Sequence, residues 1–287
     1  MRMHPITLSW NPEKTAGVLF RRDHDGKTDG PCLVICHGAF EYKENFFELA
    51  THLGEHEISA LVMDMPGHGE SSGNRYHINM DLWVRAIRTA VDWLGKDPEI
   101  DPNRIGAFGF SSGGTAVLEA ALVEPRIKAL ITLDATVRNY LGFWDTLVFK
   151  LLTNVGTIKR KITGRDLRLN ILSELNKATV AHDPAVNQAI ISDAALVAAY
   201  SRFPLPGAAA TAFVDTIKRI DKITAPTLIL HGEEDQVDPP DTARVIFNTL
   251  TCEKALEFIP QSGHCGHLDT HKETIMQRTL DWALKHL

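Results

Sequence analysis

Gly109-Phe110-Ser111-Ser112-Gly113 sets a serine between glycines, where an apolar run meets a stretch of small helix formers. A serine hydroxyl becomes a useful nucleophile only when a base takes its proton, and the base needs a carboxylate to hold its tautomer. Such chemistry calls for a sharp strand-to-helix turn that presents the hydroxyl, with glycines where a Cβ would obstruct it. The five-residue pattern occurs twice, because Gly69-Glu70-Ser71-Ser72-Gly73 also fits, so the flanking elements decide. Arg104 to Phe110 reads as a buried strand, and Gly113 to Leu122, closed by Pro125, reads as a helix. Ser71 ends the turn-rich stretch Pro66 to Ser71 and reads as a loop residue that bonds backbone. Ser111 is therefore the candidate nucleophile, and a plain helix N-cap is its competing role.

An acid and a base are then required downstream, each just after a strand. Thr227 to Leu230 reads as a buried strand followed by His231-Gly232-Glu233-Glu234-Asp235-Gln236-Val237-Asp238-Pro239. Asp235 is favoured as the acid, with Glu234 and Asp238 as fallbacks and Asp134, at another strand end, behind them. Ala255 to Ile259 is another strand-like run, and Ser262-Gly263-His264-Cys265-Gly266-His267 follows it. His264 is favoured as the base over His267, and Cys265 reads as a packing residue. The oxyanion would need two backbone N–H donors. Ser112 supplies one, and the loop Cys36-His37-Gly38-Ala39-Phe40 supplies the other from Ala39, with Gly38 allowing the turn.

These residues need a scaffold that delivers strand ends to one edge. Ile6–Trp10 and Thr15–Phe20 read as an opening antiparallel pair. Strand-like runs at Cys32–Cys36, Ile58–Met63, Ile105–Phe108, Ile127–Leu133, Thr227–Leu230 and Ala255–Ile259 then alternate with helix-like stretches at Asn45–Leu53, Asp81–Leu94, Thr115–Val123, Asp241–Leu250 and Thr270–Leu287. Alternation of this kind predicts an α/β fold with a doubly wound, mostly parallel sheet. Between Thr136 and Gly207 the sequence shows helical and turn signals and no clear strand. The expected organisation is thus a core of 1–135 and 208–287 with a helical cap inserted at 136–207, over the edge where open α/β sheets bind ligands.

Composition narrows the classes further. The chain has 287 residues, 44% hydrophobic and 23% charged, with a formal net charge of −6, which argues against a nucleic-acid binder. Four cysteines without metal-ligand spacing read as free thiols, and no apolar leader or membrane span is visible, so a cytoplasmic protein without metal or organic cofactor is expected.

Five segments together resemble the α/β-hydrolase superfamily. They are His37-Gly38-Ala39, Asp64 to Ser71, Gly109 to Gly113, His231 to Asp235, and Ser262-Gly263-His264, in the order Ser, Asp, His. The cap's position, with His182-Asp183-Pro184 and Asp193, is similar to the monoacylglycerol lipase, lysophospholipase and carboxylesterase group. The resemblance implies hydrolysis of an acyl ester or thioester through an acyl-enzyme. It also implies that Asp64 to Ser71 is structural. Peptidase or C–C hydrolase activity from the same triad remains open, as does a ligand-binding receptor with an idle triad.

Substrate contacts are expected from Phe40 and from the apolar start of the cap, Phe143 and Trp144. Between Lys150 and Lys177 seven basic residues face two acidic ones. A basic patch beside an apolar stripe suits an anionic acyl substrate or peripheral membrane contact through the cap. A homo-oligomer is also compatible with the sequence.

Overall fold

The computed structural model describes residues 1–10, 12–21, 30–139 and 141–287. Two strands, β1 (Arg2–Trp10) and β2 (Glu13–Arg21), open the chain as an antiparallel pair. Next come β3 (Gly30–Cys36), α1 (Phe47–Glu55), β4 (Ser59–Met63), α2 (Met80–Leu94), β5 (Ile100–Phe110), α3 (Ser112–Ala121) and β6 (Ile127–Leu133). An inserted segment carries α4 (Phe143–Thr163), β7 (Leu167–Leu169), α5 (Leu172–Leu175), α6 (Pro184–Ile191), α7 (Ala194–Ser201) and β8 (Phe203–Leu205). The chain then returns with β9 (Thr227–Gly232), α8 (Asp241–Thr249), β10 (Lys254–Ile259) and α9 (Lys272–His286).

Eight strands form one sheet in the order β1-β2-β4-β3-β5-β6-β9-β10, antiparallel at β1–β2 and β2–β4 and parallel from β4 onward. Alternating side chains explain why the central strands read as unbroken apolar runs. Val34 and Cys36 pack with α2, α3 and α8 on one face, while Leu33 and Ile35 pack with α1 and α9 on the other. A strand covered on both faces has no solvent side on which to place polar residues.

The insertion departs from the sequence reading in one respect. β7 and β8 pair antiparallel, Leu167 with Leu205 and Leu169 with Phe203, where no strand was expected. Three-residue strands are too short to show a period, so their pairing is a tertiary event. Asp183 and Asp193 each cap a helix: their carboxylates accept from the amides of Ala185 and Val186 and of Ala195 and Leu196.

The loop after β4 is tied by a buried carboxylate. Asp64 accepts from Lys43 N at 2.9 Å, Lys43 Nζ at 2.9 Å and Glu70 N at 2.8 Å. Burial by itself would lower the Lys43 ammonium, but its bonds to Glu70, Asp64 and Glu44 outweigh that and hold it above the usual lysine range. Ser71 belongs to the same structure: its hydroxyl donates to Asp64 O at 2.6 Å and accepts from Ala16 N at 2.9 Å. Asp64→Ala is expected to cost about 3 kcal/mol, because it orphans two amides and leaves Lys43 with only its partners Glu44 and Glu70. Urea denaturation followed by circular dichroism measures that loss.

Candidate active site

Ser111 sits at the junction of β5 and α3 with φ 50° and ψ −119°, a conformation that non-glycine residues rarely adopt. Its amide donates to Leu133 O at 2.9 Å, and its carbonyl accepts from Thr115 N at 3.1 Å, so the strain is held by backbone on both sides. The flanking glycines are required by close approach. A Cβ on Gly109 would lie 2.3 Å from Gly113 O, and one on Gly113 would lie 2.4 Å from the carbonyl oxygens of Cys36 and His37.

Two strand ends bring the other groups to this serine. His264 Nε2 is 3.0 Å from Ser111 Oγ, and His264 Nδ1 is 2.8 Å from Asp235 Oδ2. The second carboxylate oxygen of Asp235 accepts from Val237 N at 2.8 Å and Asp238 N at 2.9 Å. All three side chains are buried. Burial opposes the charged form of His264, yet the Asp235 carboxylate, by charge and hydrogen bond, holds its pKa above the ordinary histidine value.

The fallback residues have other partners. Glu234 bonds His182 Nδ1 at 2.8 Å on the surface. Asp238 accepts from Thr136 Oγ1 at 2.5 Å, and burial pushes its carboxyl up to about 6. Asp134 accepts from Gly232 N at 2.8 Å; burial and the neighbouring Asp235 charge raise it well above the carboxylate range. His267 stacks on Phe46, ring centroids 4.4 Å apart, and lies 3.2 Å from Glu41. Cys265 borders the same cavity, but burial lifts its thiol well above the usual range, so it stays protonated.

Ala39 and Ser112 both border the cavity at Ser111, and among the described residues neither amide N–H has a protein acceptor. Gly38 is required here for a reason the sequence did not reveal. The left-handed residue of this loop is Phe40, at φ 66°, whereas a Cβ on Gly38 would sit 2.8 Å from the Phe110 ring. His37, which the sequence reading gives no role of its own, anchors the loop. Its Nδ1–H donates to Gly38 O at 2.6 Å, and its Nε2 accepts from Met65 N at 2.9 Å. Burial lowers its pKa, which keeps the ring neutral for both roles.

Above these groups lies a cavity of about 580 Å³, roofed by the insertion through Phe149, Leu175, Leu196, Tyr200 and Phe203. Phe40 lines it. Phe143 and Trp144 do not: they are 75% and 73% exposed on the outer side of α4, and Phe149 takes the inward position. The densest apolar stripe of α4 lies on its outer side, so its helical phase alone would turn that stripe, and not Phe149, toward the core. Tyr42 ties the insertion to the core by donating to Asp193 Oδ2 at 2.9 Å.

Among the described residues, one cluster has metal-like spacing, namely Asp134, His231 and Asp235. Several of its atoms are engaged, Asp235 with His264, Asp134 Oδ1 with Gly232 N, and His231 Nε2 with the carbonyl of Asp238 at 2.8 Å, while Asp134 Oδ2 and His231 Nδ1 are buried without a hydrogen-bond partner among the described residues. No described helix is long and apolar enough to cross a membrane.

A mostly parallel sheet, a strained serine between strand and helix, and a histidine and an aspartate on later strand ends define an α/β hydrolase. Residues 29–271 match Hydrolase_4 (Serine aminopeptidase, S33), and the chain belongs to this family. It is 23% identical over 276 residues to an Escherichia coli 31.7 kDa protein in the traX-finO intergenic region, covering 92% of this chain and 93% of that one. It is 24% identical over 268 residues to the monoacylglycerol lipase of Mycolicibacterium smegmatis, covering 89% and 88% of the two chains. Among solved structures, the alpha/beta hydrolase GrgF from a Penicillium species superposes with a TM-score of 0.83 at 19% identity, covering 100% of this chain and 99% of that one.

Proposed function

We propose that the protein hydrolyses carboxylic esters or thioesters of an apolar acyl group. The observation that carries this reading is the Ser111–His264–Asp235 chain of hydrogen bonds, 3.0 and 2.8 Å, at the floor of a largely apolar cavity. Ser111 Oγ attacks the acyl carbon as His264 Nε2 takes its proton. The Ala39 and Ser112 amides receive the oxyanion. Collapse of the tetrahedral intermediate expels the alcohol or thiol, which leaves with the proton held by His264. Water then enters, its oxygen bonds the acyl carbon as His264 Nε2 takes its proton, and the bond to Ser111 Oγ breaks with that proton returned to Ser111, which releases the acid.

The names of the relatives favour esters over peptides, and so does the cavity wall. An aminopeptidase site must hold an α-ammonium with a free carboxylate. Here Glu41 accepts from Gly38 N and Asn45 Nδ2, Asp193 caps α7 and accepts from Tyr42, and Asp238 accepts from Thr136 Oγ1 with its carboxyl pushed up to about 6 by burial.

Hydrolysis of p-nitrophenyl esters from acetate to palmitate tests the proposal. The expected profile rises about fourfold in kcat/KM per methylene, the value of about 0.8 kcal/mol of buried CH₂, until the cavity is filled. It then falls. Tight ligand binding with no turnover at any length would instead support the receptor reading.

A further inference from the structure

Among the described residues, the outer face of α4 has no partner in the fold. Trp144, Val148, Leu151, Val155, Ile158 and Ile162 follow one another at steps of four, three, four, three and four residues and are 47–78% exposed. Phe143 and Leu147, also exposed, widen the stripe at its start. The opposite face seats the helix on the insertion, where Gly156 approaches so closely that a Cβ would lie 2.5 Å from Leu205 O. Alternating steps of three and four are the heptad spacing of a coiled-coil seam. Its two position types are occupied here by β-branched Val148, Val155 and Ile162 and by Trp144, Leu151 and Ile158.

We propose that this face binds a second copy of the chain, with the two α4 helices packed antiparallel across a two-fold axis. The stripe is symmetric about position 153: reversing the helix brings Trp144 against Ile162, Val148 against Ile158, and Leu151 against Val155. Every seam residue thereby meets one of the other type. Charge selects the same direction. Asp145 is the one acidic residue of α4, while Lys159 and Lys161 lie at its far end, and all three are exposed. The antiparallel arrangement sets Asp145 beside Lys159 of the second copy. In an in-register parallel pair e positions face g positions instead, which gives Asp145 no lysine of the second copy to meet. The contact is self-complementary and closes at two chains. The exposed apolar side chains amount to on the order of 800 Å² per protomer, about what a stable dimer buries and more than the largest apolar patch of a typical monomer.

Light scattering coupled to size exclusion, on the full chain at about 50 μM, tests the proposal. The expected mass is about twice 31.8 kDa. Val155→Glu is expected to give the monomer mass with an unchanged thermal melt by circular dichroism. Under mild oxidation an equimolar mixture of Leu151→Cys and Val155→Cys chains is expected to cross-link between α4 helices, and Leu151→Cys alone is not. A wild-type monomer at this concentration overturns the proposal, as does cross-linking of Leu151→Cys to itself. Flotation of a monomeric wild type with phosphatidylglycerol vesicles, lost in Val155→Glu, would assign the face to lipid instead. None of these readouts depends on ester hydrolysis, so they stand or fall separately from the proposed activity.

Discussion

Ser111→Ala is expected to lower kcat for p-nitrophenyl ester hydrolysis by about 10⁶ while leaving the thermal melt near that of the wild type. In the proposed reaction this hydroxyl forms the acyl bond, and among the described residues nothing else at the cavity floor replaces it. Cys265 is held protonated by burial, and Asp238 is bonded to Thr136. The fold has little stake in the hydroxyl, since the elbow is held through the Ser111 amide and carbonyl, which alanine keeps. Removing the hydroxyl of Ser71 gives the opposite outcome. Ser71→Ala breaks its bonds to Asp64 O and Ala16 N, so stability falls by about 1 kcal/mol while turnover stays within about twofold. A fluorophosphonate probe is expected to label Ser111 and no other serine, read by tryptic mass spectrometry. Labelling of Ser71, or full activity in Ser111→Ala, would put the nucleophile elsewhere.

Asp235→Asn is expected to reduce kcat by about 10⁴ and to move the acid limb of the pH–rate profile downward. The carboxylate does two things for His264. It accepts the Nδ1 proton, which leaves Nε2 free to take the proton of Ser111, and an asparagine amide turned toward Nδ1 reverses that tautomer. Its charge also stabilises the imidazolium against burial. The sign follows directly. The active base is the neutral ring, so a raised pKa extends the inactive protonated form to higher pH. Activity of the wild type therefore rises with pH through a midpoint above the ordinary histidine value of about 6.5. Without that carboxylate the midpoint drops, with only the Asp238 and Asp134 charges left to oppose burial. Profiles of kcat/KM from pH 5 to 9 for both proteins check this; a wild-type midpoint below 6.5 would mean that burial already dominates.

Much of this arrangement is legible in the residue order. The central strands could be placed because burial on both faces leaves them wholly apolar, as at Leu33 to Cys36. The elbow could be separated from its decoy because a nucleophile needs a strand before it and a helix after it, and Ser71 has only a loop. Asp235 and His264 could be preferred on the same ground, since they stand just past strand ends that a parallel sheet delivers to one edge. These are local or topological constraints, and a one-dimensional pattern carries them.

Packing decided the rest. Gly38 could be expected in a turn, but only the approach of Phe110 shows why no side chain fits there. The buried set of His37, Asp64 and Lys43 joins loops far apart in sequence, and nothing in the order of residues announces such a partnership. The pairing of β7 with β8 is another case, because three residues carry no period of their own. On α4 the limit is sharpest. The amino-acid pattern declares a long apolar helix, and heptad steps run along it, yet Phe143 and Trp144 point outward while Phe149 enters the cavity. A helix whose strongest apolar stripe faces away from the fold takes its rotation from the close contacts of its other side, such as Gly156 against Leu205. The sequence by itself thus determined the sheet, the elbow and the order of serine, aspartate and histidine, because each rests on chain connectivity and local burial. Which face of α4 lines the cavity and which stays free was settled only by contacts between segments distant along the chain.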